Sequence, residues 1–187
     1  MKRVTTLAAA AAVVAGLISW APAADARTCP SASIGGPAVA VVNLGGKSVP
    51  VKPITYRQGG PLDPPATNQA AGISIRNAPL SAKKGATVIT WHVRYGAGCD
   101  GTLNPLMTMP IGSTFTVGAV GKPAETYRIA SRVTVPKNGL KASWFSKEGP
   151  HRLVMFTCTD YRGGVFHKTM TIIANPVPVV APTPVAS

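Results

Sequence analysis

Carboxylates are scarce in this sequence. Six acids, Asp25, Asp63, Asp100, Glu125, Glu148 and Asp160, are spread over 187 residues, and no two lie close together. A carboxylate cage for Mg²⁺ or Ca²⁺, or a glycosidase acid/base pair, would have very few groups to draw on. Histidine and cysteine number three each, so no metal or cofactor is expected, and each of the six becomes a stronger suspect. Helix-friendly composition is lacking too. Gly (19) and Pro (18) make up about a fifth of the chain, which argues against a helical bundle. Positive charge is abundant, with 19 Lys+Arg giving a net charge of +13.

Lys2-Arg3, an uncharged run from Val4 to Ala24, and Ala24-Asp25-Ala26 together read as a secretory signal peptide over residues 1–26. The competing reading is an uncleaved N-terminal anchor that would associate the protein with a membrane, because the run is nearly long enough to span one. Pro22 and the small residues that follow favour cleavage. Arg27, two residues before Cys29, does not suit a lipidated cysteine. The expected location is therefore exported, at the cell surface or secreted. Residues 27–175 are one domain's worth of chain, with a Pro-rich tail over 176–187.

Without the leader, 17 basic residues face 5 acidic ones, a net +12. Charge of that size suits an anionic neighbourhood such as a cell wall or lipid surface, or serves solubility alone. The basic residues are scattered, and no aromatic-interleaved motif accompanies them, so no nucleic-acid partner is expected.

Between leader and tail, Gly and Pro punctuate short apolar stretches that read as strands at 38–43, 48–56, 86–94, 113–120, 126–135, 152–158 and 165–174. Alternation from Tyr127 to Val135 puts Tyr127, Ile129, Val133 and Val135 on one face, with Arg128, Arg132 and Thr134 on the other. Leu153–Phe156 is continuously apolar, as in a strand buried on both faces. One helical turn is expected within 143–148, and the stretch from Asn175 is expected to stay extended and unpaired. The fold class is all-β, a sandwich or a closed barrel.

Three cysteines in an exported chain leave one over. Cys29 and Cys99, near the cleavage site and in a Gly-rich loop, make the economical disulfide. Cys158, ending the strand RLVMFTC, is then a free thiol, either an inert buried cysteine or a nucleophile. A nucleophile needs a proton-handling partner. His92 closes the strand TVITWHV beside Trp91, His167 lies in the last strand, and His151 follows Gly-Pro and reads as a solvated loop residue. These features alone are compatible with a Cys-His enzyme or with a disulfide-stapled binding domain.

RLVMFTC (152–158) is similar to the L-x-x-x-T-C strand of sortases, the cysteine transpeptidases of Gram-positive surfaces. TVITWHV (87–93) resembles their histidine-bearing strand. IGSTFTV (111–117), YRIASRVTVPKNGL (127–140) and PLDPPATNQAAGIS (61–74) resemble further family segments, in family order, over roughly residues 35–174. The resemblance, nearest to actinobacterial members, implies an eight-stranded closed β-barrel with short helical turns. It implies that Cys158 attacks the carbonyl of an LPxTG-like sorting signal to give a thioacyl enzyme. His92 would protonate the leaving amine and deprotonate the incoming one. The implied partners are surface proteins bearing a C-terminal sorting signal and a peptidoglycan precursor or other amine acceptor.

Two departures from the family pattern stand out. Trp91 replaces the usual Gly before the histidine and would narrow or cover the groove. The arginine that the family carries on the strand after the cysteine falls here on His167 or Thr169. Arg162, folding back from a short loop, or His167, as a weaker donor, are the candidate substitutes. The alternative is a degenerate, non-catalytic sortase-like wall-binding domain. A thiol hydrolase that releases peptides to water is a third reading.

Overall fold

The computed structural model describes residues 36–55, 63–95 and 99–178. The expected leader over 1–26, Cys29 and the tail beyond 178 lie outside these residues. Among the described residues the strands are β1 (Ala40–Leu44), β2 (Lys47–Ile54), β3 (Ala71–Ser74), β4 (Ala86–Trp91), β5 (Arg94–Tyr95), β6 (Cys99–Asp100), β7 (Thr114–Ala119), β8 (Glu125–Pro136), β9 (Arg152–Arg162) and β10 (Val165–Pro176). Two 3-10 turns occupy Asn104–Met107 and Ala142–Phe145. Eight strands close into a barrel in the order β1-β2-β3-β4-β9-β10-β8-β7, and β5 and β6 pair separately. The eight-stranded closed barrel with short helical turns is the fold that the sequence led us to expect.

Two parallel seams, β2 with β3 and β4 with β9, interrupt an otherwise antiparallel wall. Leu44 pairs with Lys47 across Gly45-Gly46, both at positive φ. That is the two-residue turn whose twist suits a hairpin and whose backbone favours glycine. Pro50 and Pro53 fit inside β2 because the strand pairs with β1 over 47–51 and with β3 over 51–54. Each proline therefore has a partner on one side only. β3, Ala-Gly-Ile-Ser, escaped the sequence reading: all four residues are buried, so the segment has no alternation to betray it.

Alternate residues of β9 serve two cores. Leu153 and Met155 join Val42, Val51, Ile89, Trp91, Tyr127, Ile129 and Ile172 inside the barrel. Val154 and Phe156 point outward and pack with Val88 and Trp144 beneath the Ala142–Phe145 turn. Phe145 stacks on Phe156 at 5.2 Å. The expected strand buried on both faces is thus covered by a 3-10 turn on its outer side.

The alternation read along β8 fails at one residue. Ser131 pairs with Ile173 and Ile129 with Ala174, so Ala130 is left over as a bulge. A bulge reverses the phase of every residue beyond it. Tyr127 and Ile129 face the interior as expected, whereas Val135 packs on the outer cluster. Arg132 reaches instead to the 104–107 turn, where its Nη2 donates to the Leu106 carbonyl at 2.9 Å and to that of Met109. The Leu106 carbonyl belongs to the end of that turn, where no helical N–H follows to meet it, and Met109 lies two residues past it.

Two further expectations need correction. Asn175 and Pro176 remain paired, with Arg128 and Tyr127, and Val177 N–H donates to Thr126 O. The strand thus runs past the point where prolines were expected to release it, because the backbone donors around Pro176 still reach β8. His151 is not a solvated loop residue. It is 8% exposed, and its Nε2 lies 3.1 Å from the Tyr127 hydroxyl, which donates to Glu125 Oε2 at 2.8 Å.

Burial holds the His151 imidazole below the usual histidine range against the opposing pull of Glu125. The folded state therefore favours neutral histidine, binds fewer protons than the unfolded chain, and loses stability as pH falls from 6.5 through the lower folded value. His92 is shifted the same way by burial. The urea midpoint should fall between pH 7 and 5.5, and less steeply in His151→Gln. A midpoint that stays flat or rises on acidification would contradict this assignment.

Candidate active site

The parallel seam of β4 and β9 runs in register from Ala86 opposite Arg152 to Trp91 opposite Thr157. One residue further along each of the two segments stand His92 and Cys158. The Thr157 hydroxyl donates to the Trp91 carbonyl at 2.9 Å, which ties the end of β4 to the middle of β9 just before these residues. β9 runs on to Arg162, past the strand end expected at Cys158, because it keeps pairing with β10. Across the next seam Cys158 pairs with Thr169 of β10, and Thr169 pairs with Val135 of β8. The barrel therefore lays Cys158, Thr169 and Val135 in one row on its outer face.

A cleft of about 120 Å³ opens over this row, lined by Pro64, Thr90, Trp91, Lys137, Leu140, Phe156, Thr157, Cys158 and Thr169. Cys158 is a free, half-buried cysteine. Burial pushes its thiol above the usual cysteine range, and the positive charge of Lys137 pulls in the opposite direction. Burial also lowers the pKa of His92, opposed by the charge of Asp63. Near neutral pH the pair therefore consists of a neutral imidazole and a neutral thiol. The imidazole can accept a proton, and the thiol must lose one to react.

His92 is not part of the lining of this cleft; it stands at the adjoining strand end. A second loop fixes its backbone. Gly101 N–H donates to Val93 O at 2.9 Å, and Asn104 Nδ2 donates to the same carbonyl at 2.8 Å. A Cβ on Gly101 would sit 2.0 Å from the His92 carbonyl oxygen, so only glycine allows this approach. Trp91 does not cover the groove. It turns into the barrel at 2% exposure, where its Nε1 donates to Asn104 Oδ1 at 3.2 Å.

The remaining sequence candidates gather at the exposed end of the β9–β10 hairpin. Arg162 pairs with Asp160, Nε to Oδ1 at 2.9 Å, and does not line the cleft. His167 lies within 3.2 Å of the Arg162 carbonyl through Nε2 and is exposed. Lys168 also binds Asp160, at 3.3 Å. Asp160 has φ +60, a left-handed conformation that aspartate tolerates. The cleft thus holds neither Arg162 nor His167. Its cation is Lys137, to which sequence reasoning gave no role. Counted without the bulge at Ala130, Lys137 would share the inward face of Tyr127 and Ile129. Cys99 is not free among the described residues.

Compared with solved structures, the chain resembles sortases. Sortase C1 of Streptococcus agalactiae matches at 14% identity and TM-score 0.58, covering 78% of this chain and 72% of that one. Sortase A of Corynebacterium diphtheriae matches at 17% and 0.59, covering 79% of this chain but only 64% of that one. Sortase C-1 of Actinomyces oris matches at 17% and 0.59, covering 77% and 76%. No protein-family model and no curated protein matches the sequence. The barrel is a sortase-like fold, and at these identities the likeness is one of fold.

Gly101→Ala should force the 92–101 contact apart and cost about 1–3 kcal/mol, the usual range for overpacking. The checks are the thermal midpoint and the titration of the His92 ring by NMR. An unchanged midpoint together with an unchanged His92 titration would show that the glycine does not set the histidine's position.

Proposed function

We propose that the protein is an exported sortase-type cysteine transpeptidase acting on an LPxTG-like sorting signal. The observation that carries this reading is a free thiol in a cleft, on a sortase-like barrel, one residue beyond the last pair of the β4–β9 seam, as His92 is on the other side. The signal peptide over 1–26 and a staple between Cys29 and Cys99 belong to the same proposal. So do a Gram-positive cell surface as the location and surface proteins and a wall amine as partners. The excess of basic residues suits an anionic wall.

In this reading His92 takes the thiol proton as Cys158 Sγ bonds to the peptide carbonyl carbon, and the carbonyl electron pair moves to oxygen. Collapse of that adduct restores the carbonyl and breaks the C–N bond. The departing amine takes the proton from His92, leaving a thioacyl enzyme. An incoming amine repeats the sequence in reverse, losing its proton to His92 and expelling the thiolate. Because burial raises the thiol's pKa, the proton transfer to His92 is an essential part of the attack.

The test is to incubate the protein with a panel of sorting-signal peptides, with and without an amine acceptor, and to weigh the protein for an acyl adduct. An adduct on Cys158 that is lost in Cys158→Ala and reduced about 10²-fold or more in His92→Ala is expected. A folded protein that forms no adduct across the panel would sink the enzyme reading and leave a wall-binding barrel. Arg162→Ala should acylate within about twofold of wild type, as suits an exposed surface pair. A large loss would place Arg162 in the site after all.

A further inference from the structure

We infer that Lys137 is the charge-stabilising residue of the Cys158 site, the cation that faces both the attacking sulfur and the oxygen that becomes negative during attack. This rests on the reading of Cys158 as the nucleophile and assigns the electrostatic half of that chemistry.

Three observations place Lys137 there. It lines the same small cleft as Cys158 and Thr169. It also follows β8 one residue past Pro136, which pairs with Lys168. The row below Val135–Thr169–Cys158 therefore passes through Lys137, on the outward face set by the Ala130 bulge. Third, Lys137 is exposed and has no ion pair or hydrogen bond among the described residues. Its charge is uncommitted.

The other charged and titratable groups around the thiol are otherwise occupied. On β9, Asp160 holds Arg162, and it also holds Lys168 of β10. His167 of β10 is hydrogen-bonded to the Arg162 carbonyl. His92 and Asp63, at the end of β4 and in the segment before β3, couple to each other. Thr169, directly opposite Cys158, carries no charge. That leaves Lys137 as the cation whose field reaches the sulfur, and its pull on the Cys158 thiol is toward the thiolate. The part assigned to Lys137 is electrostatic. It contributes charge while the C–S bond forms and the carbonyl electron pair moves to oxygen, and an apolar surround of Leu140 and Phe156 strengthens that interaction.

The experiment compares wild type, Lys137→Met and Lys137→Arg in two assays. In the first, the rate of Cys158 alkylation by iodoacetamide is followed from pH 6.5 to 10 at low and high salt. Lys137→Met should move the profile to higher pH and slow alkylation at pH 8 by about three- to tenfold. It should also abolish the slowing that added salt causes in wild type. Lys137→Arg should restore both. In the second assay, single-turnover acylation by a sorting-signal peptide should fall about tenfold or more in Lys137→Met and recover in Lys137→Arg.

A Lys137→Met profile that superimposes on wild type at both salt concentrations would overturn the inference, whatever the peptide assay shows. If wild type alkylates normally but accepts no peptide, the transpeptidase reading fails while the alkylation profiles still decide the role of Lys137. Thermal midpoints of the three proteins should agree, since the side chain is exposed.

Discussion

The parallel seam between β4 and β9 is the constraint on which the rest depends. Six consecutive residue pairs, closed by the Thr157–Trp91 hydrogen bond, hold the end of β4 beside the middle of β9. Residues that are 66 positions apart in the chain thereby become neighbours. A parallel pair cannot be joined by a tight hairpin, so the whole of 92–151 must be threaded elsewhere. It is threaded as the β5–β6 ribbon, the 104–107 turn, β7, β8 and the 142–145 turn. The first of these segments packs against the His92 backbone, and the last covers the outer face of β9. The segment that the seam displaces is therefore the one that shapes its surroundings.

Much of the barrel was legible because its strands alternate or run apolar for four residues or more. β1, β2, β4, β7, β8, β9 and β10 could all be placed from that signal. β3 could not, since a four-residue strand buried on every side presents no periodicity. His151 was misread because Gly-Pro before it signals a turn, and turns are usually wet. Nothing local reveals that Tyr127 and Glu125 come from another strand to enclose it. The site was half legible. Cys158 and His92 could be singled out by scarcity and by their places at the close of apolar runs, although β9 itself runs on past Cys158 to Arg162. Lys137 could not, because its face depends on one extra residue seven positions earlier.

The shortage of acids also has a structural expression. Asp100, Glu148 and Asp160 each hold a cation, and Glu125 accepts from Tyr127. Exposed pairs of this kind add little stability. They do decide which basic side chains are tethered. Asp160 alone binds two of them at the hairpin end, drawing Arg162 and Lys168 toward each other and away from the cleft. Among the described residues, most of the other lysines and arginines stand in no salt bridge of this kind. The excess of positive charge is therefore a property of the barrel's surface, and at one point it borders the thiol.

The bulge at Ala130 has a consequence for how this chain can change length. Between Tyr127, which is locked to the interior, and Lys137, which borders the thiol, side chains count off alternately inward and outward, with a single skipped beat. Adding or removing one residue in that interval exchanges Lys137 with a neighbour of opposite orientation. Adding or removing two keeps the orientation and changes only the reach. The segment therefore obeys a parity rule: its permitted lengths come in steps of two, and sequences that differ there by an odd number would present a different residue to the sulfur even where every motif is intact.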